Sequence, residues 1–216
     1  AWLRPVPERR TERGTMSDTN SETHAARMKE LQAAQARRRR ELKDPDRGLV
    51  LVHTGDGKGK SSSAFGVIAR ALGWGQKVAV VQFIKGKWKT GEKQFFARFP
   101  DLVDWHIMGD GFTWDTQDKD RDIEAAEKAL AKAGELIANG DYALVVLDEI
   151  IIALRYDYLT PQAVIDALER RGDTRVILTG RDAKPELIDY ADTVTEMTET
   201  KHAYRAGIRA QQGIDF

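Results

Sequence analysis

Short apolar runs alternate with longer segments in which apolar residues recur at helical spacing along most of the chain. Runs of strand length occupy six segments: residues 49–54, 77–83, 101–108, 142–149, 174–180 and 192–197. Helical spacing marks four others: residues 60–72, 118–138, 160–172 and 184–191. Strands that are apolar throughout are buried on both faces, which is typical of parallel sheets. The pattern therefore predicts an α/β fold, a mostly parallel β-sheet with helices on both faces.

The segments before the first strand have a different character. Residues 1–20 are polar and contain two prolines and a glycine, which predicts a disordered N-terminal tail. Residues 21–43 predict a basic helix or arm without a wide apolar stripe, and Arg37–Arg40 lies near its end. We therefore expect one main domain over residues 48–216. Met16 is an alternative start, so the place of residues 1–15 in the natural protein stays open.

Composition narrows the possible classes of protein. The chain has no cysteine, which excludes disulfides, thiolate metal sites and thiol catalysis. No apolar run approaches the ~18 residues of a membrane span. These features predict a cytoplasmic protein without a membrane partner. The formal net charge is +0, so no overall field attracts nucleic acid, and nucleic acid is not an expected partner.

The stretch TGDGKGKSSS at residues 54–63 has the features of a phosphate-binding loop. It follows a predicted buried strand and opens a predicted helix. It departs from the pattern G-x-x-x-x-G-K-[ST] at its first position, where Thr54 replaces glycine. Three glycines would let backbone N–H groups surround an anion: Gly55, Gly57 and Gly59. Lys60 would add a positive charge, and the Ser61 hydroxyl would bind Mg²⁺.

Two acidic residues end a second buried strand. Asp148 and Glu149 follow the apolar run LVVL, at the carboxyl edge of the predicted sheet. Acids at this edge can hold Mg²⁺ directly or through water. An acid next to a metal-binding Asp could also activate water, so a P-loop ATPase or kinase acting on an unknown substrate is an alternative function.

Further stretches carry a family resemblance that runs from about Gly48 to the C-terminus. They are VQFIKG (81–86), GFTW (111–114), YDYL (156–159), LTGR (178–181) and KHAYRAGIRAQQGIDF (201–216). Together with TGDGKGKSSSAFGVIARALG and VVLDE, they closely resemble the P-loop class of ATP:cob(I)alamin (corrinoid) adenosyltransferases. In that family a threonine before the glycine-rich loop is usual.

The resemblance implies a function, a fold and a set of site residues. The family transfers the 5′-deoxyadenosyl group of ATP to the Co(I) of a corrinoid and releases triphosphate, on a RecA-like P-loop domain that is usually a homodimer. Lys60, Phe112, Trp114 and Glu149 are the implied catalytic residues. Mg²⁺ would be held by Ser61 and Glu149, with Asp148 beside them. The implied ATP-binding residues are Thr54, Gly55, Asp56, Gly57, Lys58, Gly59, Lys60, Ser61, Ser62, Arg70 and Arg181.

The resemblance gives the GFTW stretch its role. The aromatic side chains of Phe112 and Trp114 would pack beneath the corrin and displace its lower axial ligand. That displacement makes Co(II) reducible by a flavin-type donor, so an electron-donating, flavodoxin-like reductase is an expected partner. Cobalamin, cobinamide and cobyrinic acid diamide all remain possible substrates, in biosynthesis or in salvage.

The basic arm has three interpretations. Arg37–Arg40 could bind nucleic acid, could lie on a solvated helix, or could belong to a helix that covers the active site of a neighbouring subunit, as the resemblance implies. A nucleotide-dependent binding module that uses this arm is therefore a third hypothesis, next to the transferase and the ATPase or kinase.

Overall fold

The computed structural model describes residues 15–84, 90–108 and 119–215, with side chains from residue 23 onward. The chain divides into two compact units, Ala1–Asp44 and Pro45–Phe216, and each is described by itself. GFTW and its two aromatic residues, Phe112 and Trp114, lie outside the described residues.

The first unit contains one long helix, α1, which spans Thr15–Glu41. The predicted basic helix is therefore present, but it begins earlier than expected. The helix thus includes residues 15–20, which the sequence assigned to a disordered tail. Ser, Thr, Asp and Asn in this stretch lower helix propensity by only a few tenths of a kcal/mol each. Neither Pro nor Gly stands between residue 14 and residue 45 to interrupt the helix.

The second unit is built on a six-stranded sheet in the order β3-β2-β4-β5-β1-β6, and every neighbouring pair is parallel. The strands are β1 Val50–Thr54, β2 Val78–Gln82, β3 Val103–Ile107, β4 Leu144–Asp148, β5 Arg175–Thr179 and β6 Thr193–Glu196. All six predicted strands are present, and the predicted parallel α/β fold is confirmed.

Within the described residues of this unit, six further helices connect the strands. They are α2 Lys60–Gly73, α3 Gly91–Phe96, α4 Lys119–Ala138, α5 Ile150–Arg155, α6 Pro161–Leu168 and α7 Pro185–Tyr190. A short 3₁₀ helix, Ala203–Ala206, follows β6. The sequence pattern did not predict α3 and α5, because six residues are too few to show helical periodicity. Among the described helices, none combines the length and the apolar character needed to cross a bilayer.

Two apolar clusters show that helices cover both faces of the sheet. One contains α2 residues and the inward side chains of Val78, Val80 and Val146. The other contains residues of α4, α6 and α7 with the alternate strand positions, such as Ala79 and Val145. Successive strand residues thus pack against opposite layers.

The parallel arrangement brings all strand ends with functional residues to one edge. At the carboxyl edge, β1 leads into α2, β4 leads into α5, and β5 leads into the loop at Arg181.

The α6 helix begins as predicted: Thr160 Oγ1 accepts a hydrogen bond from Ala163 N at 3.2 Å, and Pro161 occupies the first turn.

Candidate active site at the carboxyl edge of the sheet

The glycine-rich loop surrounds the side chain of Lys60. The loop joins the end of β1 at Thr54 to the start of α2 at Lys60, as the sequence predicts. Lys60 is only 7% exposed, and its Nζ donates to the carbonyl oxygens of Gly55 at 2.7 Å and Gly57 at 2.6 Å. The ammonium has three protons, so one remains to meet an anion at the mouth of the loop.

Glycines 55 and 57 are required by a backbone contact that the sequence did not reveal. A Cβ on Gly55 would lie 2.5 Å from Met197 O, and one on Gly57 would lie 2.7 Å from Thr198 O. Gly55 also has φ 92°, a left-handed conformation that disfavours other residues. The N–H of Gly57 donates to Met197 O at 2.6 Å. This N–H is therefore directed at the chain after β6, and not into the loop as predicted.

Several charged side chains surround the Lys60 ammonium. Burial lowers its pKa, and the positive charges of Arg181 and Lys58 act in the same direction. The carboxylates of Glu149 and Asp56 partly offset this effect by raising the pKa. The fold thus brings five of the predicted residues into one electrostatic neighbourhood, where a bound polyanion would be stabilised by three cations.

Asp148 is the centre of a hydrogen-bonded row across four neighbouring strands. It is 1% exposed. Its Oδ2 accepts from Gln82 Nε2 at 2.8 Å, and its Oδ1 accepts from Thr179 Oγ1 at 2.9 Å. Gln82 Oε1 accepts in turn from Trp105 Nε1 at 2.9 Å. Since the indole can only donate, it fixes the amide of Gln82 with its N–H₂ toward the carboxylate.

The next residue, Glu149, has a constrained backbone. It has φ 62°, in the left-handed region that is costly for a non-glycine residue, and it precedes α5. Its N–H donates to Thr179 Oγ1 at 2.9 Å. The hydroxyl that supports Asp148 therefore also fixes the backbone of Glu149, and the two acids are positioned by one threonine.

His53 is a site residue that sequence reasoning did not single out. It is 7% exposed at the end of β1, and its Nδ1 lies 2.9 Å from Ser63 Oγ and 3.3 Å from the carbonyl oxygen of Lys60. The ring thus connects β1 to the first turn of α2. The positions of His53 and Ser63 on either side of the loop could have indicated this contact. The contact can be recognised only when the strand and the helix are already placed next to each other.

Two histidines of the sheet, the buried His53 and the partly buried His106, predict how stability depends on pH. Burial lowers the pKa of His53, and burial also lowers that of His106 on β3. The unfolded chain therefore binds more protons than the folded chain below the ordinary histidine pKa of about 6.5. The free energy of unfolding is expected to fall as pH drops from 7.5 to 5.5.

Urea unfolding at these two pH values measures this dependence. His53→Gln is expected to reduce the pH dependence, and adding His106→Gln to reduce it further. A matched control is His24→Gln, because His24 is exposed on α1. An unchanged pH dependence in the His53, His106 double variant would contradict the assignment.

Most of the other predicted residues lie in the glycine-rich loop or next to it. Asp56 pairs with Arg181 at 3.5 Å, and Lys58 pairs with Asp215. Ser61 and Ser62 lie in the first turn of α2. Thr54 Oγ1 accepts from Ala183 N at 3.1 Å, so this side chain joins two loops of the edge.

Arg70 is not brought to the loop within one chain. It lies in the last turn of α2, ten residues after Lys60 and so about 15 Å away along the helix axis. Phe112 and Trp114 lie outside the described residues, and their predicted role is untested by this geometry.

Oxygen ligands for a magnesium ion are available at this edge. In the described part of the chain, no three His, Cys, Asp or Glu side chains are grouped as a metal site. Mg²⁺ at phosphate sites usually takes only one or two protein carboxylates, with water and phosphate oxygens as the other ligands. Ser61 could supply a hydroxyl oxygen and Glu149 one carboxylate. Asp148 accepts a hydrogen bond on each carboxylate oxygen, so it is suited to keep the neighbouring residues in position.

The all-parallel sheet, with a glycine-rich loop between β1 and α2 and an acidic pair at the end of β4, is consistent with a P-loop-type α/β domain. Residues 46–216 match the family model described as ATP:corrinoid adenosyltransferase BtuR/CobO/CobP, and the chain belongs to that family. The match confirms the resemblance stated from the sequence.

Curated relatives agree with this assignment. A corrinoid adenosyltransferase of Pseudomonas aeruginosa is 52% identical over 93% of this chain and 98% of its own length. One of Escherichia coli (strain K12) is 41% identical over 93% of this chain and 100% of its own. Corrinoid adenosyltransferase CobA of Salmonella typhimurium is 44% identical over 79% of this chain and 87% of its own.

Proposed function

We propose that the protein transfers the 5′-deoxyadenosyl group of ATP to the Co(I) of a corrinoid and releases triphosphate. The observation that carries this proposal is the family match, which covers the glycine-rich loop, the acidic pair and the C-terminal stretch together. The preferred corrinoid, whether cobalamin, cobinamide or cobyrinic acid a,c-diamide, is left to experiment, as is the choice between biosynthesis and salvage.

The site suits a reaction in which the nucleophile comes from the substrate. Co(I) attacks the 5′ carbon of the ribose, the C–O bond to the triphosphate breaks, and the bonding electrons leave with the triphosphate. The protein then needs no nucleophilic side chain, only positioning and stabilisation of the charge that grows on the leaving group. The buried Lys60 ammonium, with Arg181 and Lys58 beside it, supplies that stabilisation.

We assign different roles to the acidic residues. Ser61 and Glu149 would bind Mg²⁺, which would neutralise part of the charge on the leaving phosphates. Asp148 would orient Gln82 and Thr179, and through Thr179 it would keep Glu149 in place. Asp56 would hold Arg181 at the loop. Arg70 is left out of this site because of its place in the last turn of α2.

The corrinoid side of the reaction remains a proposal from the sequence. Phe112 and Trp114 would displace the lower axial ligand of Co(II) and exclude water, so that a flavodoxin-like reductase can supply the electron. A homodimer and a cytoplasmic location are proposed on the same basis.

Identification of the products tests the proposed function. The protein is incubated with ATP, Mg²⁺ and a chemically reduced corrinoid, and the phosphate products are separated by ion exchange. Triphosphate and an adenosylated corrinoid in equal amounts are expected. ADP and orthophosphate formed with or without corrinoid would instead establish the ATPase or kinase alternative.

Trp114→Ala is expected to separate reduction from transfer. The variant would bind ATP normally and react with pre-formed Co(I), but its rate from Co(II) with a flavodoxin-type donor would fall by about tenfold or more, since the axial ligand would stay bound. Both rates are followed by the absorbance of the corrinoid.

The matched control is Trp74→Ala, because Trp74 is 81% exposed at the end of α2. This variant is expected to keep both rates. Equal losses from Co(I) and from Co(II) in Trp114→Ala would contradict the axial-ligand role.

A further inference from the structure

The chain after β6 folds back onto the glycine-rich loop, and together they line an open cavity of about 630 Å³. Gly57 and Lys58 line one side, and residues from 198–203 and 208–215 line the other. This volume lies within the range of about 300–1,000 Å³ that is typical of small-molecule sites. The cavity is thus a direct extension of the loop that holds Lys60, on the side of the C-terminal segment.

Hydrogen bonds within the C-terminal segment place Asp215 at the rim of this cavity. Gln211 N donates to Asp215 Oδ2 at 2.8 Å, and Asp215 N donates to Gln211 O at 2.8 Å. The carboxylate also forms an ion pair with Lys58. A cation of the glycine-rich loop is therefore already bound to an anion, at a point that adjoins the expected phosphate site.

The charges of the cavity are unbalanced. Its two carboxylates are engaged, Asp215 with Lys58 and Glu199 with Arg205. Two further cations, Lys201 and Arg209, line the cavity, and neither has a hydrogen bond or an ion pair within the described residues. Three cations consequently line one open cavity, and two of them have no carboxylate partner within the described residues.

We propose that this cavity binds the terminal phosphates of a polyphosphate chain whose remaining phosphates lie in the glycine-rich loop. Lys201 and Arg209 would contact the terminal phosphate, and Lys58 would move from Asp215 to the chain. The ligand class is inorganic triphosphate or the triphosphate of a nucleotide. Its role as the holding site for a leaving group rests on the proposed function.

The lining favours phosphates over the other groups of the expected substrates. No Phe, Tyr or Trp is among the lining residues that the structure describes, so an adenine or a corrin ring has no large aromatic side chain to stack on. Arg and Lys side chains are the usual partners of phosphate oxygens. A single phosphate in the loop would not extend to Lys201 and Arg209, so binding is expected to depend on chain length.

Asp215 gives the site a means of release. Its carboxylate competes with phosphate for Lys58, which lowers the affinity for the polyanion and lets the product leave. Asp215 is in this sense a positioning residue, since it acts through Lys58. Removing its charge is expected to tighten polyphosphate binding and to slow release.

Calorimetric titration of the full chain with inorganic triphosphate, pyrophosphate and orthophosphate tests the proposal. Lys201→Gln with Arg209→Gln is expected to raise the Kd for triphosphate by about tenfold at low salt, with a smaller effect at high salt. The Kd for orthophosphate is expected to stay the same. Asp215→Asn is expected to lower the Kd for triphosphate by about threefold.

The control removes two cations elsewhere, Lys128→Gln with Arg175→Gln. Lys128 lies on α4 and Arg175 begins β5, at the edge opposite the loop. This variant has the same net charge as the test variant and is expected to bind triphosphate like the parent. Equal unfolding midpoints in urea establish that each variant is folded.

Two results would contradict the proposed phosphate site. Parent-like triphosphate binding in the Lys201, Arg209 variant, or an equal loss for orthophosphate, would overturn the proposal. Titration with ATP separates nucleotide from inorganic triphosphate, and an equal rise in both Kd values is expected. These titrations contain no corrinoid. A failure of adenosyl transfer would therefore appear in the product assay alone and leave the cavity result standing.

Discussion

Lys60→Ala is expected to weaken ATP binding by at least about thirtyfold and to lower the rate of corrinoid adenosylation by about a hundredfold or more. The ammonium is buried within the loop, so water cannot replace its charge. The substitution also removes the two hydrogen bonds to Gly55 O and Gly57 O. Loss of charge and loss of loop shape therefore act together. Binding is measured by calorimetry and turnover by corrinoid absorbance.

Two further variants control for the loss of side-chain volume and for the loss of a lysine elsewhere on the surface. Lys60→Met keeps most of the side-chain volume but removes the charge and both hydrogen bonds, and it is expected to resemble Lys60→Ala in binding. Lys128→Ala, on the exposed surface of α4, is the matched control and is expected to bind ATP like the parent. ATP affinity within twofold of the parent in Lys60→Ala would rule out the phosphate-loop assignment.

Asp148→Ala is expected to lower the free energy of unfolding by about 3 kcal/mol. The carboxylate is 1% exposed and accepts from two side chains, Gln82 and Thr179. Alanine would leave the donors of both without this partner in a buried region and would leave a cavity. Urea unfolding monitored by circular dichroism measures the loss.

Asp148→Asn gives the matched comparison. Its oxygen can still accept from Gln82, and its N–H₂ can donate to Thr179 after the hydroxyl rotates, so the loss of stability is expected to be below about 1.5 kcal/mol. Trp105 keeps the amide of Gln82 in the required orientation. Equal losses in the Ala and Asn variants would show that the two hydrogen bonds do not determine the stability of this edge.

The sequence predicted the parts of this site that depend on local pattern. The apolar run at residues 49–54 and the glycines after it predicted a loop between β1 and α2, where the structure has it. Asp148 and Glu149 were expected at the carboxyl edge because they end an apolar run, and β4 ends there. In each case one short segment carries both the strand and the functional residue.

Contacts between distant segments could not be predicted in this way. The hydrogen-bonded row takes one residue from each of four strands: Trp105, Gln82, Asp148 and Thr179. The order of those strands in the sheet cannot be predicted from the pattern of any single segment. The sequence showed three of these positions only as polar or aromatic residues of predicted strands. The pairing of Lys58 with Asp215 likewise joins residues 157 positions apart.

The place of β1 inside the sheet has a consequence for the order of folding during synthesis. β1 pairs only with β5 and β6, which are among the last strands to leave the ribosome. The glycine-rich loop also rests on Met197 and Thr198. At synthesis rates of about 5–20 residues per second, the loop waits for roughly 7–28 seconds before Met197 and Thr198 are made. A nascent chain that ends before β6 is therefore expected to be unable to hold ATP, and nucleotide binding is acquired only when synthesis is nearly complete.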